Sequence, residues 1–222
     1  MNGSWLGTSI RIVVTGTDTG IGKTVFAAGL THFLKGVYWK PIQAGLDSET
    51  DSQIVRRLAE LPDDRVLTEA WRLTTPASPH LAAERDGVTI DVAALRLPAI
   101  PQPLVIEGAG GLMVPLTRTS LLVDLFAEWR APVVLCARTS LGTLNHTLLS
   151  LEALNHRDIP ILGVALIGDP HDDNSRTLAA LGGAPILGRL PRLVPLTPQT
   201  LHPAFCDSFE AGLGKALSAV GR

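Results

Sequence analysis

Apolar residues in this chain fall into short unbroken runs, separated by stretches in which they recur every three or four positions. The runs cover residues 10–15, 37–40, 103–107, 132–137, 161–167 and 185–190, and most are apolar on consecutive residues. A half-exposed strand alternates; an unbroken apolar run reads as a strand buried on both faces, as in a parallel sheet covered by helices. The spacing predicts helices over residues 24–34, 51–61, 144–156 and 175–181, and a terminal helix over 205–220. Strand–helix alternation of this kind predicts an α/β fold, a doubly wound, mostly parallel sheet flanked by helices. The proline-spaced segments 98–103 and 191–203 are expected to be loops.

Composition narrows the picture. The chain has 222 residues, which suits one domain over residues 1–222. With 45% hydrophobic and 18% charged residues it can build a sizeable core. A net charge of −2 lacks the basic balance of a nucleic-acid binder, so no nucleic-acid partner is expected. The longest stretch without charged or strongly polar side chains, residues 178–188, has eleven residues, and residues 159–168 follow with ten. A membrane-spanning helix needs roughly 20, so no membrane segment is expected. Residues 1–8 have no basic start and no long apolar segment, unlike a secretory signal. The two cysteines, Cys136 and Cys206, form no spaced cluster, and a reduced, cytoplasmic protein is the expectation.

The strongest motif is Gly16-Thr17-Asp18-Thr19-Gly20-Ile21-Gly22-Lys23-Thr24. It follows the first expected strand and opens the first expected helix, the context a phosphate-binding loop requires. Glycines let backbone N–H groups approach a polyphosphate, and the helix N-terminus adds partial positive charge. Lys23 would reach the β- and γ-phosphates, and the Thr24 hydroxyl would hold Mg²⁺. The first glycine stands at Gly16, one step earlier than the strict pattern places it, so this is a variant loop. The plain alternative is a glycine-rich turn without a ligand.

Two further groups belong to the same strand edge. The chain has 15 arginines and four lysines, and one of the four, Lys40, ends the second expected strand. Ligands bind outside the carboxyl ends of strands in such folds, so Lys40 would lie near the phosphates. Its alternative is a surface lysine before a turn proline, and a strand-end lysine is expected to bury little. Glu107 is expected to end the strand before Gly108-Ala109-Gly110-Gly111, where it resembles a Mg²⁺-coordinating acid. Asp51 opens a helix and could serve the same ion or simply favour the helix N-terminus. Asp18, Asp47 and Glu49 compete for these roles. The six histidines show no metal spacing, Asn155-His156-Arg157-Asp158 lacks the lysine of a guanine-reading signature, and no Gly-x-Ser-x-Gly elbow occurs.

Taken together, the glycine loop, Lys40-Pro-x-x-x-Gly45, Ser78-Pro79-His80, Glu107-Gly-Ala-Gly-Gly111 and Leu141-Gly-x-x-Asn145-His146 resemble the dethiobiotin synthetase family of P-loop NTPases. The resemblance spans nearly the whole chain. It implies a ligase that uses ATP and Mg²⁺ to close 7,8-diaminopelargonic acid and CO₂ into the cyclic urea of dethiobiotin, in biotin synthesis. It implies a carbamate, then a carbamic–phosphoric anhydride. Carried over by position, Lys23 and Lys40 are catalytic, and Thr24, Asp51 and Glu107 hold the metal. The nucleotide would meet Thr19, Gly20, Ile21, Gly22, Lys23, Thr24, Asp51 and Glu107 to Gly110, including Gly108 and Ala109. At its base it would meet Gly168, Asp169, Pro191, Arg192 and Leu193. The diamine would meet Lys40, Ala44 and Pro79, with Leu141, Gly142, Thr143 and Asn145 reaching in from the second subunit of a homodimer.

Some positions depart from the family. Ala44 stands where Ser or Thr is frequent, so Gln43 or backbone would have to replace that contact. Gly20 replaces a frequent Glu. Gly168 replaces an adenine-reading Asn, and a nucleotide-contacting Glu is replaced near Pro198. The competing class is a partitioning-type P-loop ATPase, which carries an extra lysine at the position of Asp18; a cobyrinic-acid-type amidase would need a glutaminase domain.

Overall fold

A computed structural model describes residues 10–220; the N-terminal segment read above as unlike a secretory signal lies outside them. Strands β1 (Arg11–Gly16), β2 (Val37–Trp39), β4 (Val66–Leu67), β6 (Leu104–Gly111), β7 (Val133–Arg138), β8 (Ile161–Ile167) and β9 (Ile186–Leu190) form one sheet. Its order is β4-β2-β6-β1-β7-β8-β9, and every neighbouring pair runs parallel. β3 (Ile42–Ala44) and β5 (Trp71–Leu73) make a separate parallel pair.

The central strands are apolar on both faces because helices cover both. On one face α1 (Lys23–Leu34), α2 (Asp51–Leu58) and α7 (Pro198–Val220) bury Phe26, Leu30, Val55, Leu58, Phe205 and Phe209. On the other, α4 (Leu122–Trp129), α5 (Thr143–Asn155) and α6 (Asp172–Leu181) bury Leu122, Phe126, Leu151, Leu154 and Leu178. α3 (Pro79–Arg85) packs Ala82 and Ala83 into the same side. The α1–α7 contact is aromatic: the Phe26 ring lies 5.3 Å from Phe205 and 5.1 Å from Phe209, the second edge-on.

Every strand and helix expected from the sequence is present, with three differences of substance. The 191–203 segment is not all loop, since α7 begins at Pro198 and contains Pro203. An internal proline removes one helix hydrogen bond. Here Leu201, Phe205, Phe209, Leu213 and Leu217, at four-residue spacing, are all buried, and that burial outweighs the lost bond. α2 stops at Leu58 instead of residue 61, because Glu60 takes a left-handed conformation (φ 52°) and Pro62 follows. β6 runs past Glu107 to Gly111, pairing Gly111 with Gly16 across the sheet. β3, β4, β5 and α3 carry too few residues to stand out in the pattern, while α4, as long as α2, lies outside the expected helices. Among the described residues no helix is long and apolar enough to cross a membrane.

Candidate active site

The site grows from the end of the central strand. β1 closes at Gly16, and the chain loops back to enter α1 at Lys23. Gly22, the residue before the helix, has φ 97°, where a side chain is strained, and an added Cβ would press on Ile167. α1 has no side-chain cap and no acid in its first turn. Its first N–H groups and dipole are therefore left to favour an anion. Lys23 is buried and arcs back over the loop, donating to the Asp18 carbonyl at 2.7 Å. Burial lowers its pKa, partly offset by the charge of Glu107. At the loop tip, Asp18 accepts the Thr19 N–H at 2.7 Å and pairs with Arg138 at 2.5 Å.

Beside the loop three strongly polar oxygens converge. The Thr24 hydroxyl lies 2.8 Å from Glu107 Oε1 and 3.1 Å from Asp51 Oδ1. Glu107 arrives from β6 and Asp51 from the N-terminus of α2. That terminus is fixed by a capping box, Thr50 with Gln53, and by Gln43, whose side-chain oxygen accepts the Asp51 N–H at 3.2 Å. Lys40 follows β2 directly, and its ammonium reaches Asp51 Oδ2 at 2.7 Å, the Gly108 carbonyl at 3.1 Å and Glu107 Oε1 at 3.4 Å. Two carboxylates and a hydroxyl are hard donors, and such a set suits a small divalent cation that takes one or two carboxylates plus phosphate oxygens.

Burial and charge divide the two acids. Burial opposes ionisation of Asp51, but Lys40 and the Thr24 hydroxyl outweigh it and hold its pKa below the usual carboxylate range. Glu107, only 1% exposed and farther from the ammonium, is pushed up by burial. Burial also works against the Lys40 charge, but Glu107 and Asp51 prevail and its pKa is raised.

Two expectations need correction. Lys40 is not a lightly buried surface lysine: it is 4% exposed, because the β2–β6 pairing brings it against Glu107 and α2 closes over it. Glu107 is not at a strand end. The glycines after it have no side chains to hold the strands apart, so β6 continues beside the phosphate loop to Gly111.

A cavity of about 420 Å³ opens next to these groups, lined in part by Lys40, Ala44, Asp51, Pro79, Ala109 and Gly110. The Gln43 amide is already spent on Asp51, Ala44 and Gly45, so it is not free to replace a hydroxyl at Ala44. Glu49 pairs with Arg57, Asp18 with Arg138, and Asp47 stands exposed, all outside the Thr24 cluster. At the neighbouring strand ends, Gly168, Asp169, Pro191, Arg192 and Leu193 come together: the Gly168 N–H donates to Leu190, and Arg192 pairs with Asp169 at 3.5 Å. Leu141, Gly142, Thr143 and Asn145 form the start of α5, do not line the cavity, and leave Leu141 and Asn145 exposed.

Known proteins match this chain at two levels. A family profile described as an AAA domain matches residues 10–200. ATP-dependent dethiobiotin synthetase BioD of Rhodopseudomonas palustris strain HaA2 is 65% identical over 198 residues, covering 89% of this chain and 93% of that protein. The chain belongs to the dethiobiotin synthetase family. The dethiobiotin synthetase of Brucella melitensis biotype 2 is 60% identical over 199 residues, covering 90% of this chain and 94% of its own. Among solved structures, the cell division ATPase MinD of Pyrococcus furiosus superposes with a TM-score of 0.55 over 96% of this chain and all of its own, at 13% identity. That likeness concerns the fold alone: a dethiobiotin synthetase chain wound as MinD is.

Within this family member, sequence reading missed Tyr38, Arg138 and Arg189, and it gave Gln43 a substrate contact where the structure has its side chain hold the Asp51 N–H. Tyr38 donates to Glu107 Oε2 at 2.9 Å, and Arg189 donates to the Gly168 carbonyl at 2.7 Å. A signal for Tyr38 existed: residues 38 and 40 share one face of a strand, so a tyrosine two before Lys40 faces whatever Lys40 faces.

Proposed function

We propose that this chain is an ATP-dependent dethiobiotin synthetase that joins 7,8-diaminopelargonate and CO₂ into a cyclic urea. The observation that carries the reading is the convergence of Thr24, Asp51, Glu107 and Lys40 between a phosphate loop and a cavity of small-molecule size, in a chain 65% identical to a protein of that name. One amine of the substrate takes up CO₂ as a carbamate. A carbamate is a poor acyl donor until one of its oxygens becomes a leaving group. That oxygen attacks the γ-phosphorus, ADP departs, and the second amine then displaces phosphate from the carbamoyl carbon.

Little covalent work falls to the protein, so positioning and charge stabilisation carry the catalysis. The free N–H groups of α1 and Lys23 would hold the phosphates. Lys40 would meet the charge that develops between carbamate and phosphoryl group, its ammonium kept protonated by Asp51 and Glu107. Thr24, Asp51 and Glu107 would hold Mg²⁺, which when bound neutralises phosphate charge. Ala44 and Pro79 would border the diamine, and Gly168, Asp169 and residues 191–193 the base.

The reading extends to assembly as a homodimer, in which Leu141 to Asn145 of a second copy complete the diamine site. Exposure of Leu141 and Asn145 supports it. It further takes residues 1–222 as one P-loop α/β domain, and the cytoplasm as its location; the free Cys136 and Cys206 are in keeping with a reducing compartment. The test is phosphate release with diaminopelargonate, bicarbonate, Mg²⁺ and ATP. Release that depends on the diamine supports the reading; the same release without it points to an ATPase of the partitioning class.

A further inference from the structure

Tyr38 is completely buried, on β2, in the layer that also holds Phe26 and Val105. A phenylalanine would fill that space equally well. A hydroxyl taken out of water costs free energy unless it finds a partner. Here its partner is the Glu107 carboxylate, at 2.9 Å.

The pairing follows from strand register. β2 and β6 run parallel, with Tyr38 opposite Val105 and Trp39 opposite Ile106. Tyr38 and Lys40 share one strand face, so Glu107 receives one group from each. The phenol takes Oε2, while Thr24 at 2.8 Å and Lys40 at 3.4 Å take Oε1. The two oxygens of Glu107 therefore have different tasks: Oε2 is tied to the core and Oε1 faces Thr24.

We propose that Tyr38 is a positioning residue that commits one oxygen of Glu107 to the core, so that Glu107 offers the cation beside Thr24 a single, fixed oxygen. The inference rests on the reading of Glu107 as a metal-holding carboxylate. Groups that orient a metal ligand through its second atom typically change metal affinity by 10- to 100-fold when removed.

The test measures binding, not turnover. Mn²⁺ replaces Mg²⁺, and its dissociation constant is read by electron paramagnetic resonance with a non-hydrolysable ATP analogue bound. Tyr38→Phe, Glu107→Gln and the double variant are compared with the parent protein. Tyr38→Phe should weaken Mn²⁺ by about tenfold or more. In the Glu107→Gln background it should add little further loss, because its effect runs through that carboxylate. Unchanged Mn²⁺ affinity in Tyr38→Phe, with Glu107→Gln clearly weakened, overturns the Tyr38 assignment alone. Losses that simply add in the double variant also overturn it, since the phenol would then act by packing. Unchanged affinity in both single variants overturns the reading of Glu107 itself. A second measurement needs no Tyr38 variant. Infrared difference spectra of the ¹³C-glutamate-labelled parent, against Glu107→Gln, report how the carboxylate binds Mn²⁺. A wide splitting between its two stretching bands marks one-oxygen ligation and agrees with the proposal; a narrow, bidentate splitting contradicts it.

Discussion

Lys40 and Asp51 form an ion pair of 2.7 Å on the wall of the cavity, the lysine side chain almost wholly buried and the carboxylate about a quarter exposed at 27%. The pair joins the end of β2 to the start of α2, and it ties the charge chemistry of the site to the stability of the fold.

Lys40→Ala should therefore have two effects. Loss of a transition-state donor is expected to cut kcat by roughly two orders of magnitude or more. The variant should also melt lower, because Glu107 and Asp51 lose their shared counter-charge. A buried partner left unsatisfied costs about 1–3 kcal/mol, and a chain of this size loses roughly 2–4 °C per kcal/mol. Steady-state kinetics and calorimetry check both; near-normal kcat would remove Lys40 from the reaction.

Asp51→Asn should raise the Mg²⁺ concentration needed for half-maximal turnover, while Glu49→Gln should leave it unmoved. Asp51 meets the Thr24 hydroxyl, whereas Glu49 is bonded to Arg57 on the surface. Metal titration at fixed ATP separates them, and a shift in Glu49→Gln alone would reassign the site.

Mixing inactive Lys40→Ala chains with inactive Asn145→Ala chains should restore part of the activity if subunits exchange. A heterodimer would contain one site with both residues intact. Activity of the mixture no higher than that of the separate variants, with exchange shown by mass spectrometry, would place both residues in the same subunit's site.

Nucleobase selectivity should be loose. Gly168 has no side chain to pair with a base, and its carbonyl is already held by Arg189 at 2.7 Å. Discrimination by hydrogen bonds is worth about 1–3 kcal/mol for each group left unpaired, and here a side-chain reader is missing at Gly168. CTP, GTP and UTP should support turnover within roughly tenfold of ATP, or about 1.4 kcal/mol. The measurement is kcat/KM for the four nucleotides at equal Mg²⁺ and diamine. A thousandfold preference for ATP would show the base being read by backbone or by Arg192.

Much of this molecule could be read along the chain, because the relevant physics is local there. A glycine loop between a buried strand and a helix needs no distant partner to be recognised, and unbroken apolar runs already imply a sheet covered on both faces. The order of the strands, by contrast, sets which distant groups meet. Thr24 meets Asp51 across 27 positions and Glu107 across 83, and Tyr38 meets Glu107 across 69. The motifs and the family resemblance proposed Thr24, Asp51 and Glu107 as partners; the strand-face signal at Tyr38 named no partner, and its hydroxyl gains meaning when β2 pairs with β6 in this register. The same pairing buries Lys40, which the sequence places near the phosphates but, as a strand-end lysine, expects to bury little. Likewise Pro203 signals a loop by its own chemistry, and its helix forms because Phe205 and Phe209 dock on Phe26, a contact made by packing between distant segments.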